Sequence, residues 1–183
     1  SHDRSGPAEV LADIIGKTVH KGGTVIVPAF AVGRAQMLLY HVARLKAAGR
    51  LPKLLPVFLD SPMAIDATEI FQRHAGDQKL SPADLKQMGR DVRYVHTGEE
   101  SKALTANPMA KVIISASGMA TGGRVLHHLE HYAPNPKNAI LFTGFQAGGT
   151  RGASMVAGAE SVKMHGTYIS VRASVHNLSM LSA

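Results

Sequence analysis

The chain has no cysteine and no tryptophan, and Phe and Tyr together make up only 5% of its 183 residues. Without cysteine there is no disulfide framework, no thiolate zinc site and no cysteine nucleophile. With so few aromatic rings, no platform for stacking nucleobases stands out. Acidic residues are scarce as well: 13 Asp and Glu stand against 20 Lys and Arg, a formal charge of +7 and an isoelectric point near 9.9. That balance favours a polyanionic partner, although basic charge alone is a weak pointer. No apolar run approaches the roughly 20 residues of a membrane helix, and no signal-peptide pattern opens the chain. No membrane partner is therefore expected, and the cytoplasm is the default location. What is present is ordinary for a folded domain: 45% hydrophobic residues, 18% charged, mean hydropathy +0.01 and no low-complexity tract. The length suits one domain, since domains run to roughly 100–200 residues.

Short β-branched runs alternate with stretches of helical period. Strands are expected at 23–28, 55–59, 91–96, 111–115 and 139–142, and helices at 34–48, 62–74, 99–105 and 123–132. Met37, Leu38, Val42 and Leu45 make the stripe of the first helix, and Pro62 sits early in the second. Residues 162–175 hold two strand-like runs around His165-Gly166-Thr167, which reads as a hairpin. Residues 76–90, rich in Asp, Lys and Gln, read as a loose surface excursion or a linker. Strand–helix alternation requires crossover connections. The fold class is thus α/β: a Rossmann-like, largely parallel sheet with helices on both faces and C-terminal hairpin strands, in a single domain spanning 1–183.

In open α/β sheets the ligand crevice lies beyond the carboxyl ends of the strands. Four post-strand loops here are small and polar: 28–34, 60–62, 115–124 and 144–152. Their glycines allow backbone N–H groups to approach a phosphate, and Arg34, Arg124 and Arg151 supply fixed positive charge. The alternative is that these glycines simply make tight turns and the arginines are solvated. Neither 115–124 nor 144–152 ends in Lys-Ser/Thr, and neither matches GxGxxG, so a P-loop and a nicotinamide site lack support.

Ten histidines are many for a chain of this length. His127, His128 and His131 share one expected helix, and His127 and His131 fall on one face, a spacing that can hold zinc. HExxH is absent, so a packed or solvated helix face is the simpler reading. The other histidines, including His176, are scattered, and no HxHxDH run exists. Asp60-Ser61 could join a histidine in a hydrolase site, or Ser61 could cap a helix with Asp60 at a strand end. Met63, Met119 and Met155 lie in or beside the loops, whereas Met37 and Met88 suit core gaps.

Taken together, several segments resemble the β-CASP domain of RNA-processing nucleases with a metallo-β-lactamase fold. That group includes the nuclease subunit of the cleavage-and-polyadenylation factor and its bacterial relatives. The resemblance runs through Gly22-Gly23, then Pro28-Ala29-Phe30-Ala31-Val32-Gly33-Arg34-Ala35-Gln36, then Leu59-Asp60-Ser61-Pro62-Met63-Ala64. It continues through Val95-His96, Glu100-Ser101-Lys102-Ala103-Leu104, residues 114–129 and residues 142–152, covering nearly the whole chain in the family's order.

The resemblance implies a cap inserted into a host metallo-β-lactamase domain, forming one wall of an RNA cleft. RNA and the host domain are then the expected partners, and a homodimer is left open. Catalysis in such enzymes uses two zinc ions in the full-length protein. Their HxHxDH ligands would lie upstream of Ser1, with a further histidine directly after Ala183. Ser1-His2-Asp3-Arg4 resembles the entry junction, Val175-His176-Asn177-Leu178-Ser179-Met180-Leu181-Ser182-Ala183 resembles the return strand at the other junction, and His176 is not the missing histidine. No catalytic residue and no metal ligand is assigned within the chain, which by itself is expected to be inactive.

Carried over residue by residue, Arg34, Ser61, Ser117, Gly118, Met119, Gly123, Arg124 and Thr150 fall in loops that face the cleft and would contact RNA phosphate without reading sequence. One departure is Gly149-Thr150-Arg151-Gly152-Ala153-Ser154, where relatives often carry arginine after the second glycine; Arg151 is the candidate substitute. Two other classes stand beside this one. A stand-alone nucleotide-binding enzyme lacks its fingerprint, and a protein-interaction module would have no catalysis.

Overall fold

The β-branched runs are buried on both sides, as strands of a parallel sheet must be. A computed structural model describes residues 6–74, 81, 83, 86, 88–89 and 91–178. In chain order it runs α1 (Pro7–His20), β1 (Val25–Pro28), α2 (Arg34–Ala47), β2 (Val57–Asp60), α3 (Pro62–Arg73), β3 (Val92–Tyr94) and α4 (Gly98–Ala106). There follow β4 (Val112–Ser115), α5 (Arg124–Tyr132), β5 (Ala139–Phe142), α6 (Arg151–Val156), β6 (Ser161–Met164), β7 (Thr167–Ser170) and β8 (Ser174–Asn177).

Six strands form one sheet in the order β3-β2-β4-β1-β5-β8, with every neighbouring pair parallel. The central β1, β4 and β5 are buried at every position, and the edge strands β3 and β8 are at most half-buried. Alternation along the strands divides the core in two. Val25, Val27, Val57, Leu59, Val112 and Ile114 cluster with Leu11 of α1, Leu38 of α2 and Ala64 of α3. Ile26, Ile113, Ile140 and Phe142 cluster with Leu104 of α4, Leu129 of α5, Met155 of α6 and the inner face of β6. β6 and β7 form a separate antiparallel hairpin.

The α/β class, the parallel sheet and the hairpin are as the sequence led us to expect. Two elements were not foreseen. α1 begins with Pro7 in its first turn and buries Leu11, Ile14 and Ile15. α6 is only 6 residues long, too short to show a periodic stripe. β8 was expected, as the return strand that residues 175–183 resemble; it lies beyond the hairpin and pairs with the main sheet beside β5. Of the segment read as a loose excursion, 76–90, the described Ala83, Lys86, Met88 and Gly89 are helical, and Met88 is buried in the core. The rest of that segment, apart from the exposed Ser81, and the junction stretches Ser1-His2-Asp3-Arg4 and 179–183 lie outside the described residues. Among the described residues, no helix is long and apolar enough to cross a membrane.

Candidate functional site

Parallel pairing brings the carboxyl ends of the strands to one edge: Pro28 and Asp60 both align with Ser115, and Phe142 aligns with Asn177. The loops that leave these ends are interlocked. A side chain on Gly118 would meet the Phe30 ring at 2.9 Å, so only glycine lets these two loops approach so closely. Gly152 N–H donates to Met119 O at 2.9 Å, and Gln146 Nε2 donates to Gly118 O at 3.2 Å. Arg151 reaches across with Nη1 to Ala120 O at 3.3 Å and with Nε to Lys163 O at 2.7 Å. Asn177 exchanges two hydrogen bonds with Gly144, tying the end of β8 to the loop after β5.

One charge on this edge is wholly enclosed. Asp60, at the end of β2, is fully buried. Its Oδ1 accepts from Arg124 Nη1 at 2.8 Å, and its Oδ2 bonds His128 Nε2 at 2.6 Å and accepts from the Ser101 hydroxyl. Burial alone would push this carboxyl up. The hydrogen bonds from His128, Ser101 and Arg124, together with the charge on His128, outweigh burial and hold it below the usual carboxylate range. Ser101 and His128 both turn to the same carboxylate oxygen and are themselves buried, so no substrate reaches the hydroxyl. The cluster is therefore a positioning network that ties β2, α4 and α5 together.

Ser61 is not part of that network. It caps α3, accepting from Ala64 N–H at 3.2 Å, as the helix-cap alternative requires. The histidines of α5 are a mixed face: His128 is in the core, His127 lies 3.3 Å from the Thr105 hydroxyl, and His131 packs edge-on against Tyr132. Among the described residues, no three His, Cys, Asp or Glu side chains converge as metal ligands would.

The expected site residues fall along one edge but in different states. Ser117 Oγ accepts from the N–H groups of Thr121 and Gly122 at 3.0 and 3.2 Å, shaping its own loop. Thr150 caps α6, and its hydroxyl also donates to Ala147 O at 2.6 Å. Gly123 has φ +78, and a side chain there would meet Ala116 O at 2.8 Å, so it holds the tight entry into α5. Met119 is half-buried and contributes its carbonyl. Besides Asp60, Arg124 serves Val95 O and His96 O at 3.3 and 2.9 Å.

Arg34 differs: its Nη1 is buried with no hydrogen-bond partner. The guanidinium lies against Gly144, where a side chain would come within 3.3 Å of Nη2. Arg34, Gln146, Phe145 and Asn177 line a cavity of about 550 Å³, and the Gln146 Oε1 atom is a second buried group without a partner. Sequence reasoning did not single out Ser101, Gln146 or Asn177, because their partners are remote in the chain.

Residues 35–155 match the family model described as the Beta-Casp domain. Ribonuclease TTHA0252 of Thermus thermophilus is 38% identical over 179 residues, covering 91% of this chain and 39% of that protein. The RNase J-like protein of Methanocaldococcus jannaschii is 34% identical over 168 residues, covering 90% and 38% respectively. The transcription termination factor FttA of Methanosarcina mazei is 32% identical over 166 residues, covering 85% and 25%. The chain thus spans between about a quarter and two fifths of the length of these relatives.

Proposed function

The chain belongs to the Beta-Casp domain family, and from that premise we propose that it is the RNA-binding cap of a zinc-dependent ribonuclease with a metallo-β-lactamase fold. The observation that carries this reading is the charge of the interlocked edge. The loops after β1, β4 and β5 contain Arg34, Arg124 and Arg151 and no carboxylate. Within them, Arg34 keeps an unpartnered N–H beside a cavity. A phosphodiester oxygen would satisfy that donor, which is costly to leave unmet in a buried position. Arg34 and Arg151 are the direct phosphate contacts in this reading. Ser61, Ser117, Gly118, Met119, Gly123, Arg124 and Thr150 shape the wall that presents them, through backbone N–H groups and fixed loop geometry.

The same edge exposes Phe30, Val32, Met63 and Phe145 at 47%, 69%, 66% and 76%. Apolar side chains gathered on the loops of one edge suit contact with a host domain, into which this chain would be inserted. In this reading the zinc ions would be held by the host domain and would supply the activated water. Of the chain's own groups, the arginines would bind and orient the backbone, and the apolar rim would exclude water.

The test is a cleavage assay of the full-length protein on labelled single-stranded RNA. Cleavage abolished by a chelator and restored by zinc is the expected result. Absence of both cleavage and low-salt RNA binding would overturn the proposal.

A further inference from the structure

A second cavity lies outside the Arg34 pocket, where the loop after β4, the start of α6 and the hairpin meet. It measures about 500 Å³ and is lined by Thr121, Thr150, Arg151, Ser154, Lys163 and Tyr168, among others, and by no carboxylate. A volume of this order suits a ligand of nucleotide size.

Its construction follows from the hairpin's alternation. β6 buries Val162 and Met164 and turns Ser161 and Lys163 outward. Lys163 stands directly opposite Tyr168 on β7, and such cross-strand pairs present neighbouring side chains on one face. Arg151 closes the arrangement from the other side. Its Nε is bonded to the Lys163 carbonyl and its Nη1 to the Ala120 carbonyl, which fixes the guanidinium and, among the described residues, leaves Nη2 without a hydrogen bond. Two cations and an aromatic ring are thereby held around one hollow.

Tyr168 is exceptional among the four tyrosines. Tyr132 is buried and Tyr40 and Tyr94 are half-buried, but Tyr168 is 70% exposed. Its ring stands open to solvent beside the cavity.

We propose that this cavity is a subsite for one nucleotide of single-stranded RNA, with its phosphate between Arg151 and Lys163 and its base on the Tyr168 ring. The proposal rests on the reading of the chain as an RNA-binding cap and adds a contact outside the Arg34 pocket. An unpaired strand is required, because a base already stacked in a duplex has no free face to offer. The hydroxyls of Thr121 and Ser154 suit sugar and phosphate oxygens without selecting a sequence.

The experiment measures binding of a short labelled single-stranded RNA to the full-length protein across a salt series. Tyr168→Ala is expected to weaken binding roughly five- to tenfold, and Tyr168→Phe, which keeps the ring, to stay within about twofold of wild type. Lys163→Ala is expected to lower the slope of log affinity against log salt by about one. Wild-type binding with Tyr168→Ala and Lys163→Ala both unchanged overturns the subsite and leaves the cap reading standing. No RNA binding by the wild type at low salt overturns both. A competition arm with adenosine monophosphate separates the source: equal affinity for the mononucleotide and the RNA, lost in Tyr168→Ala, makes the occupant a free nucleotide and overturns the RNA assignment.

Discussion

Arg34 and Arg124 begin in the same way and end with different work. Each follows a glycine of positive φ, +94 at Gly33 and +78 at Gly123, and each is the first residue of a helix leaving the carboxyl edge of the sheet. The neighbouring strand end decides the rest. Arg124 finds Asp60 at the end of β2 and commits its Nη groups to that carboxylate and to two backbone carbonyls. Arg34 finds Gly144, which offers no acceptor side chain, and is left with a buried N–H unpaired. A Gly-Arg pair at a helix start is therefore neither structural nor ligand-binding by itself. The partner supplied by another strand sorts the two roles.

The sharpest way to break this comparison is to remove the partner. Asp60→Asn leaves Arg124 charged and His128 without its carboxylate, and the expected loss is about 3–5 kcal/mol of unfolding free energy in a denaturant titration. The same contribution should fade in acid. The Asp60 carboxyl is lowered on folding, so its stabilisation is present above the unfolded value of 3.8 and is lost as pH falls through the folded one. Unchanged stability in Asp60→Asn would mean that the network carries no net energy.

Exchanging the two arginines for methionine sharpens the contrast. Arg124→Met should cost about 2 kcal/mol of stability while leaving the salt dependence of RNA binding alone. Arg34→Met should change stability by less than about 1 kcal/mol and lower the salt slope by about one. Denaturation and salt titration of both variants decide it, and similar behaviour of the two would erase the distinction.

A further effect, weaker than the loss expected for Asp60→Asn, concerns a cation far from that edge. Lys111 is fully buried, donates to Asn107 O and Met109 O at 2.6 and 2.7 Å, and is lowered by burial and by Lys137 to about 8. The unfolded chain keeps this proton up to 10.5, so stability should rise with pH from 8 upward, by roughly 1.5 kcal/mol at pH 9.5. Lys46, also lowered by burial, adds to the slope, so Lys111→Met should reduce the rise rather than abolish it. Tyr132, pushed up to about 12, acts in the opposite sense above pH 10 and bounds the useful window. A flat profile in the wild type would show that Lys111 carries no such linkage.

The central strands were legible in sequence because burial on both faces demands unbroken apolar runs such as Val112-Ile113-Ile114. β8 was legible only through the resemblance of 175–183 to a return strand, because an edge strand can carry Ser174, His176 and Asn177 with little penalty and so shows no apolar run. α1 did carry a signal, the spacing of Leu11, Ile14, Ile15 and Thr18, which is that of a buried helical stripe. The edge was legible as four polar loops, but its wiring was not. Asp60 meets Ser101 and His128 across 41 and 68 residues, and no local pattern encodes such a contact. Even so, His128 falls in register with the buried Val125, Leu129 and Tyr132, which places it on the core side of α5. A carboxylate ending a buried strand and an imidazole on an apolar stripe each require a polar partner, and that shared need is the signal that could have joined them.

The order of the strands also governs how the molecule comes into being. β1 is central, yet Val25 pairs with Val112 and Ala139, which leave the ribosome long after it does. Contacts so distant along the chain make folding slow and leave the early apolar strands exposed while synthesis continues. Phe30 meets Gly118 only once β4 has docked, and Gly144 meets Asn177 only once β8 has closed the sheet. The edge is thus completed late, and a chain cut before β8 would lack the Asn177 tie that holds the loop after β5.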